Sequence, residues 1–335
     1  MENKVSIILP AYNCQETIEN AIESVISQDY KNWELIIIDD GSTDNTKEKC
    51  QKYNDNKNIK FFSKKNEGPS ATRNYGLKKS TGKYIMFLDS DDYFESTMVS
   101  EMVKKIQENN QLVCCNFFQF YNTKKDFSNI EQLKTKDIQL YIETLQKNRI
   151  FNNIWNKIYV SEIISENNIT FNENIEFGED YEFNIDYIKS VEQAELINEP
   201  LYNYYISSNS LTTKYRENEF QIRKHNIDKN KELYRHKNYD LEWISHLYLE
   251  MFIQSSISLF NNKSASKNTI ISKIKEYSET IYNDIKANYQ NFFRKEEIFV
   301  GKMIYRKKYH VIYRYIKLRI LIKKIIYKLR RKKNR

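Results

Sequence analysis

The chain has 335 residues, 40% of them hydrophobic, with only 6 Gly and 3 Pro; this allows one large domain or two modest ones with a sizeable core, and excludes long flexible linkers. Its net charge of +8 divides unevenly: from Gly301 onward there are 15 Lys and Arg and no Asp or Glu, which leaves 38 basic against 45 acidic groups before it, a net of −7. Four cysteines without a Cys-x-x-Cys pair and four histidines without a His-x-x-x-His spacing speak against a zinc site.

In chain order, residues 5–9 form a strand-like apolar run, and Met1-Glu2-Asn3-Lys4 leads directly into it, so no signal peptide is expected. Ile18, Ala21, Ile22, Val25 and Ile26 mark one helix face, and residues 35–38 a second strand. Residues 59–62 are a weaker strand, and Gly68-Pro69 opens a short helix. Residues 84–88 form another strand that ends in Asp89-Ser90-Asp91-Asp92. Met98, Met102, Val103 and Ile106 line a further helix, and residues 112–121 a further strand, where Cys114 and Cys115 read as buried, reduced thiols. Near-continuous apolar strands alternating with helices predict an α/β fold, with a mostly parallel, Rossmann-like sheet flanked by helices. Ligands in such sheets bind beyond the carboxyl ends of the strands, where Asn13, Asp39-Asp40 and Asp89 to Asp92 all fall. Residues 122–215 are mixed, 216–300 read as a helical region, and 301–335 as a basic amphipathic tail. The expected division is therefore 1–121, 122–215, 216–300 and 301–335. No stretch approaches 18 apolar residues, so no transmembrane helix is expected and the location reads as cytoplasmic.

The acidic clusters carry the chemistry. In an extended segment, residues two apart point the same way, so Asp89 and Asp91 would present two carboxylates together. Carboxylates held that close repel unless a cation lies between them, and Mn²⁺ or Mg²⁺ favours such hard oxygen ligands while taking others from substrate phosphates. Gly41, in Asp39-Asp40-Gly41-Ser42, suits a tight turn of positive φ; the plain alternative is an ordinary Asx turn. The helix after Gly68 would offer free N–H groups to an anion, with Arg73 one turn in, able to reach a diphosphate or the acidic cluster.

Pro10-Ala11-Tyr12-Asn13, Asp39-Asp40-Gly41-Ser42-Thr43-Asp44, Asn66-Glu67-Gly68 with Arg73-Asn74, and Asp89-Ser90-Asp91-Asp92 together resemble the family 2 glycosyltransferases of the GT-A fold, in order and at plausible spacing. The resemblance implies an inverting, metal-dependent transfer from a nucleoside-diphosphate sugar, usually a UDP-sugar, to a carbohydrate or lipid-linked saccharide acceptor in bacterial cell-surface polysaccharide synthesis. By it, Pro10 and Tyr12 frame the nucleoside, Asp40 reads uracil, Asn66 and Arg73 sit near base and ribose, Asp89 and Ser90 lie by the donor, and Asp91 binds Mn²⁺ or Mg²⁺. Phe177-Gly178-Glu179-Asp180 resembles the acidic pair that supplies the catalytic base; Asp180 is expected as base and Glu179 as a donor-sugar contact. Alternatively, both belong to an acidic helix start. Trp155-Asn156-Lys157 and residues 202–213 resemble acceptor-binding segments of capsule and wall-polymer enzymes, with Ser210 or Thr212 toward phosphate. The competing reading of the whole is a catalytically inactive nucleotide-sugar-binding scaffold in a polysaccharide assembly complex. No Gly-rich phosphate loop occurs, which argues against a P-loop ATPase or a nucleotidyltransferase.

In the tail, Val311, Tyr315, Leu318, Ile322, Ile325 and Leu329 recur at helical spacing, widened by Ile312, Ile316 and Ile326, with Lys317, Lys324, Lys328 and Arg331 on another side. This pattern predicts a helix lying on an anionic membrane surface at the inner face of the cell membrane. A coiled-coil seam has the same spacing, so self-association into a homo-oligomer is the competing reading. No nucleic-acid partner is expected, since no such module is present.

Overall fold

The computed structural model describes residues 3–121, 124–175, 177–206, 216–262, 264–288 and 294–333, in two compact units, Met1–Ser210 and Leu211–Arg335. In the first unit the chain runs β1 (Val5–Ala11), α1 (Ile18–Ile26), β2 (Trp33–Asp39), α2 (Thr46–Gln51), β3 (Ile59–Ser63), α3 (Pro69–Lys79), β4 (Tyr84–Phe87), β5 (Tyr93–Phe94) and α4 (Met98–Ile106). It continues through β6 (Leu112–Tyr121), β7 (Lys124–Phe127), β8 (Leu133–Thr135), α5 (Ile138–Lys147), β9 (Lys157–Val160), α6 (Ser161–Glu166), α7 (Glu179–Ile188) and β10 (Ala194–Tyr205).

Among the described residues the strands form one sheet in the order β3-β2-β1-β4-β9-β6-β10-β5, with β7 and β8 paired to β6 and β10. The half from β3 to β4 is parallel, as its apolar strands predict; β1, β2 and β4 are almost entirely buried, and β3, at the end of the sheet, only in part. Beyond it β9 inserts antiparallel to both β4 and β6, and the sheet becomes mixed. The long strand β10 is irregular around Pro200, where its register to β6 shifts, because proline has no N–H to give the ladder.

Helix α3 lies on β1 and β2 closer than any side chain would permit. A Cβ at Gly76 would come within 2.4 Å of Ile8 Cγ2 and 3.1 Å of Ile38 Cδ1. That contact fixes the helix that carries Arg73 one turn in from its start. Pro69 takes the first helical position, where no N–H is missed.

The second unit contains α8 (Glu219–His236), α9 (Glu242–Ser258), a short 3-10 turn at Leu259–Asn261, α10 (Lys267–Ile285), α11 (Lys295–Tyr305) and α12 (Tyr309–Lys333). Phe220 and Tyr277 stack face to face at 3.8 Å within it. On α12 the periodicity is helical, but its apolar residues serve two faces. Ile312 and Ile316, expected to widen the outward stripe, are buried in the helical unit together with Tyr313, whereas Val311, Leu318, Leu321, Ile322 and Ile325 stay exposed. The side chains of Lys324, Ile326, Lys328, Leu329 and Arg331 lie outside those described. Among the described residues no helix is long and apolar enough to cross a membrane.

At the amino ends of the first strands, Glu34 is buried and gathers four partners. Its carboxylate accepts from Ser6 Oγ at 2.6 Å, Lys60 Nζ at 2.7 Å, Thr81 N at 2.7 Å and Lys4 Nζ at 2.9 Å. Burial alone would raise its pKa, but Lys60, Ser6, Lys4 and Thr81 outweigh it and hold Glu34 at about 2. A folded-state pKa below the unfolded value gives stability that is present above the unfolded pKa and lost as pH falls toward the folded one. Glu34→Gln is therefore expected to cost about 1.5–3 kcal/mol at pH 7, the range for hydrogen bonds to a charged group. In thermal unfolding the gap from wild type should narrow below about pH 4.5 and close near pH 2. A gap independent of pH contradicts this.

Candidate functional site

At the carboxyl end of β4 and the amino ends of α3 and α7, Asp89, Glu179 and Asp180 collect around one buried cation. Arg73 donates from Nη2 to Asp89 Oδ1 at 3.2 Å, and its Nη1 lies 3.4 Å from Glu179 Oε1 and 3.5 Å from Asp180 Oδ1. Its guanidinium rests over the Phe171 ring at 5.5 Å, and Phe171 stacks on Phe183 at 4.3 Å. Three carboxylates raise the Arg73 pKa against the opposing effect of burial, so the charge is permanent. Of its two predicted destinations, Arg73 takes the acidic cluster.

Asn74, next in the chain, ties the same helix to the segment before α7. Its Nδ2 donates to Phe171 O and to Glu173 Oε1, each at 2.8 Å, and its Oδ1 accepts from Phe171 N at 2.8 Å. Glu179 and Asp180 open α7 behind Gly178, so they occupy an acidic helix start and at the same time reach Arg73. Burial raises the Asp180 carboxyl, Arg73 pulls it down, Glu179 and Asp89 push it up again and Lys157 opposes them; the balance is about 7. Asp180 Oδ1 has no hydrogen-bond donor among the described residues. A partly exposed carboxylate whose inner oxygen has no donor, titrating near neutrality, is equipped to accept a proton.

Asp89 to Asp92 is not extended as the two-residue spacing assumed. Asp92 N donates to Asp89 O at 3.1 Å, closing a turn as the chain reverses from β4 toward β5. The two carboxylates still interact. Crowding by protein atoms, and then the Asp89 charge, push Asp91 up to about 6. Asp91 is exposed and has no side-chain partner among the described residues. An open, unpaired carboxylate beside a second one fits a hard divalent cation that retains waters and phosphate oxygens as its other ligands. Asp92 instead holds the backbone together. It is buried and accepts from Tyr202 Oη at 2.8 Å and Tyr205 N at 2.7 Å, while the Tyr202 hydroxyl also takes the N–H of Asp89 at 3.3 Å. Ser90 reaches the thiol of Cys14 just past β1.

Asp40 is likewise engaged within the chain. Oδ1 accepts from Lys64 Nζ at 2.5 Å and Glu67 N at 3.0 Å, and Oδ2 from Gly68 N at 2.9 Å. Three of a carboxylate's about four acceptor positions are thus used, leaving one on Oδ2. Asp39 forms the Asx turn, accepting from Ser42 N and Ser63 Oγ. Gly41 has φ +73°, and a Cβ there would lie 2.9 Å from Asn66 N, so this turn abuts the Asn66 loop. Pro10 pairs with Ile38 one residue before the end of β1, and Tyr12 and Asn66 are exposed.

Several contributors have no signal of their own in the sequence. Lys64 as the partner of Asp40, Asn74 as a clamp and Asp92 as the anchor of β10 depend on pairings 24 to 113 residues apart, and only the Arg73-Asn74 adjacency hints at one of them. Lys157, from the Trp155-Asn156-Lys157 patch, is buried and donates to Ile150 O at 2.9 Å and to Asn153 O; Trp155 stacks on Tyr202 at 4.3 Å. These two are core, not surface. Ser210 and Thr212 lie outside the described residues.

The sequence profile of glycosyl transferase family 2 matches residues 6–166. A cholesterol galactosyltransferase of Borreliella burgdorferi is 35% identical over 180 residues, half of this chain and half of that protein. Three uncharacterized rickettsial glycosyltransferases match at 37 to 49% identity, but over only 18 to 20% of their own length. This chain therefore spans half or less of these relatives. S. aureus TarS 1–349, crystallised in complex with UDP-GlcNAc, superposes with a TM-score of 0.65 at 20% identity, covering 91% of this chain and 92% of that one. The Pyrobaculum calidifontis mannosyltransferase PcManGT, in complex with GDP-Man and Mn²⁺, gives 0.52 at 12% identity over 94% and 86%. The match to the family 2 glycosyl transferases thus lies in residues 6–166, just under half of this chain, and the fold is that of the GT-A enzymes.

Proposed function

We propose that this protein moves a sugar from a UDP-sugar to a carbohydrate or lipid-linked saccharide acceptor, with inversion, in the synthesis of a bacterial cell-surface polysaccharide at the inner face of the membrane. The observation that carries the reading is the gathering of Asp89, Glu179 and Asp180 around Arg73, beside the unpaired Asp91. A permanent cation is poised between a donor-side carboxylate and a base-side pair. The TarS neighbour's UDP-GlcNAc favours a uridine donor, and the PcManGT neighbour's Mn²⁺ favours a metal.

Asp91, with Asp89 beside it, would hold Mn²⁺ or Mg²⁺. The ion supplies Lewis-acid neutralisation of the leaving diphosphate when bound. Asp180 accepts the proton of the acceptor hydroxyl as that oxygen bonds to the anomeric carbon and the carbon–oxygen bond to the diphosphate breaks on the opposite face. Arg73 keeps Glu179 and Asp180 from drifting apart under their mutual repulsion. Pro10 and Tyr12 border the nucleoside, with Asn66 at the base, the free acceptor position on Asp40 Oδ2 toward uracil, and Ser90 and Glu179 toward the donor sugar.

A panel of UDP-sugars with Mn²⁺ should give free UDP from at least one donor. EDTA or Asp91→Asn should abolish release while circular dichroism stays native. Release undiminished by both removes the metal assignment, and no release from any donor favours the inactive scaffold.

Because Asp180 works only as a carboxylate and titrates at about 7, kcat/KM should rise with pH and level off above that value. Asp180→Asn should erase this rise and lower kcat by about 10²-fold or more, with donor affinity unchanged. A parallel loss of UDP affinity would place Asp180 in the nucleotide site instead.

A further inference from the structure

The second unit carries an amphiphilic groove that the transfer chemistry does not use. It lies between the 3-10 turn at Leu259–Asn261 and α12, has a volume of about 450 Å³, and is lined by Phe260, Arg314, Lys317, Leu318, Ile320 and Leu321. That volume is within the range of small-molecule pockets. Apolar atoms dominate its wall, while Arg314 and Lys317 are exposed and make no ion pair among the described residues. Arg319, on the neighbouring side of the same helix, is by contrast paired to Glu296 at 2.9 Å. Phe260 is held in place by stacking on Tyr313 at 5.3 Å.

The groove is continuous with an exposed apolar stripe. Ile312, Tyr313 and Ile316 satisfy the inward face of α12, so Leu318, Leu321, Ile322 and Ile325, each about half exposed, are not needed for packing within the unit. These residues follow one another at helical spacing along the outward face. The whole segment from Gly301 has 15 basic residues and no acidic one. Uncompensated positive charge opposes pairing of this face with a second copy of itself, and complements an anionic surface.

We propose that this groove seats one anionic phospholipid of the membrane surface, its phosphate between Arg314 and Lys317 and its acyl chain along Phe260, Leu318 and Leu321, with Ile322 and Ile325 entering the interface beside it. The inference rests on the membrane-side part of the reading above and is independent of the base and the metal.

The test is co-sedimentation of the full-length protein with vesicles of phosphatidylcholine alone or mixed with phosphatidylglycerol, at low salt. Wild type should bind only the mixed vesicles. Arg314→Gln with Lys317→Gln should weaken that binding at least tenfold, since each basic residue near such a surface contributes about fivefold. Leu318→Asn with Leu321→Asn, which leaves the charge unchanged, should do the same. A control pair on α10 and at its end, Lys275→Gln with Lys286→Gln, removes equal charge and should cost at most about twofold; all variants are checked by circular dichroism. Equal losses in the groove and control pairs would mean that charge alone attracts the protein, and would overturn the groove. Absence of binding to any vesicle would overturn the membrane-side reading as well. A wild-type dimer dissolved by the leucine pair, without vesicle binding, would assign the stripe to a second copy and likewise overturn the proposal.

Discussion

A guanidinium enclosed by protein must be neutralised where it lies, and the first unit is organised around that requirement. Arg73 sits over Phe171, with carboxylates from the end of β4 and the start of α7 on its two terminal nitrogens. Removing a partner from a buried charge costs more than making the pair gains. The two segments are therefore held to the same point although 90 residues separate Asp89 from Glu179, and the site is assembled by electrostatics that would otherwise drive its carboxylates apart.

The surroundings leave this cation little freedom. Gly76 lets α3 settle onto Ile8 and Ile38, so the Arg73 backbone cannot slide along the sheet. Asn74 makes a two-point clamp on Phe171, the ring beneath Arg73. Asp92 fastens the β4–β5 turn to β10 through Tyr202 and Tyr205, which keeps Asp89 facing the guanidinium while Asp91 stays open. The Asp40 carboxylate plays the same part at the entrance to α3, collecting Lys64 and two backbone N–H groups. Positioning of this kind, with side chains locked before any ligand arrives, is what catalytic geometry requires.

The parallel half of the sheet was legible because β1, β2 and β4 are buried on both faces and read as apolar runs, while β3, only partly buried, reads as the weaker strand. The other half was not. Strand β9 is four residues long and begins with Lys157, which looks like a surface residue until its ammonium is found capping the carbonyls of Ile150 and Asn153. Strand β10 is interrupted by Asn198-Glu199-Pro200, which reads as a turn. Residue types identified the acidic motifs, but a spacing of two implied an extended Asp89–Asp91 where the chain turns. Helical periodicity on α12 likewise could not say that Ile312 and Ile316 face inward while Leu321 faces out, since that depends on which side the neighbouring helices occupy.

If Arg73 is the element that makes the acidic residues one site, then it and Asp180 act as a unit. The most direct measurement is a double-mutant cycle of Arg73→Gln and Asp180→Asn, read as kcat/KM for donor turnover. Coupled residues give a double variant little worse than the poorer single one, and that is the result expected here. Losses that multiply, as for two independent sites, would contradict the central place given to Arg73.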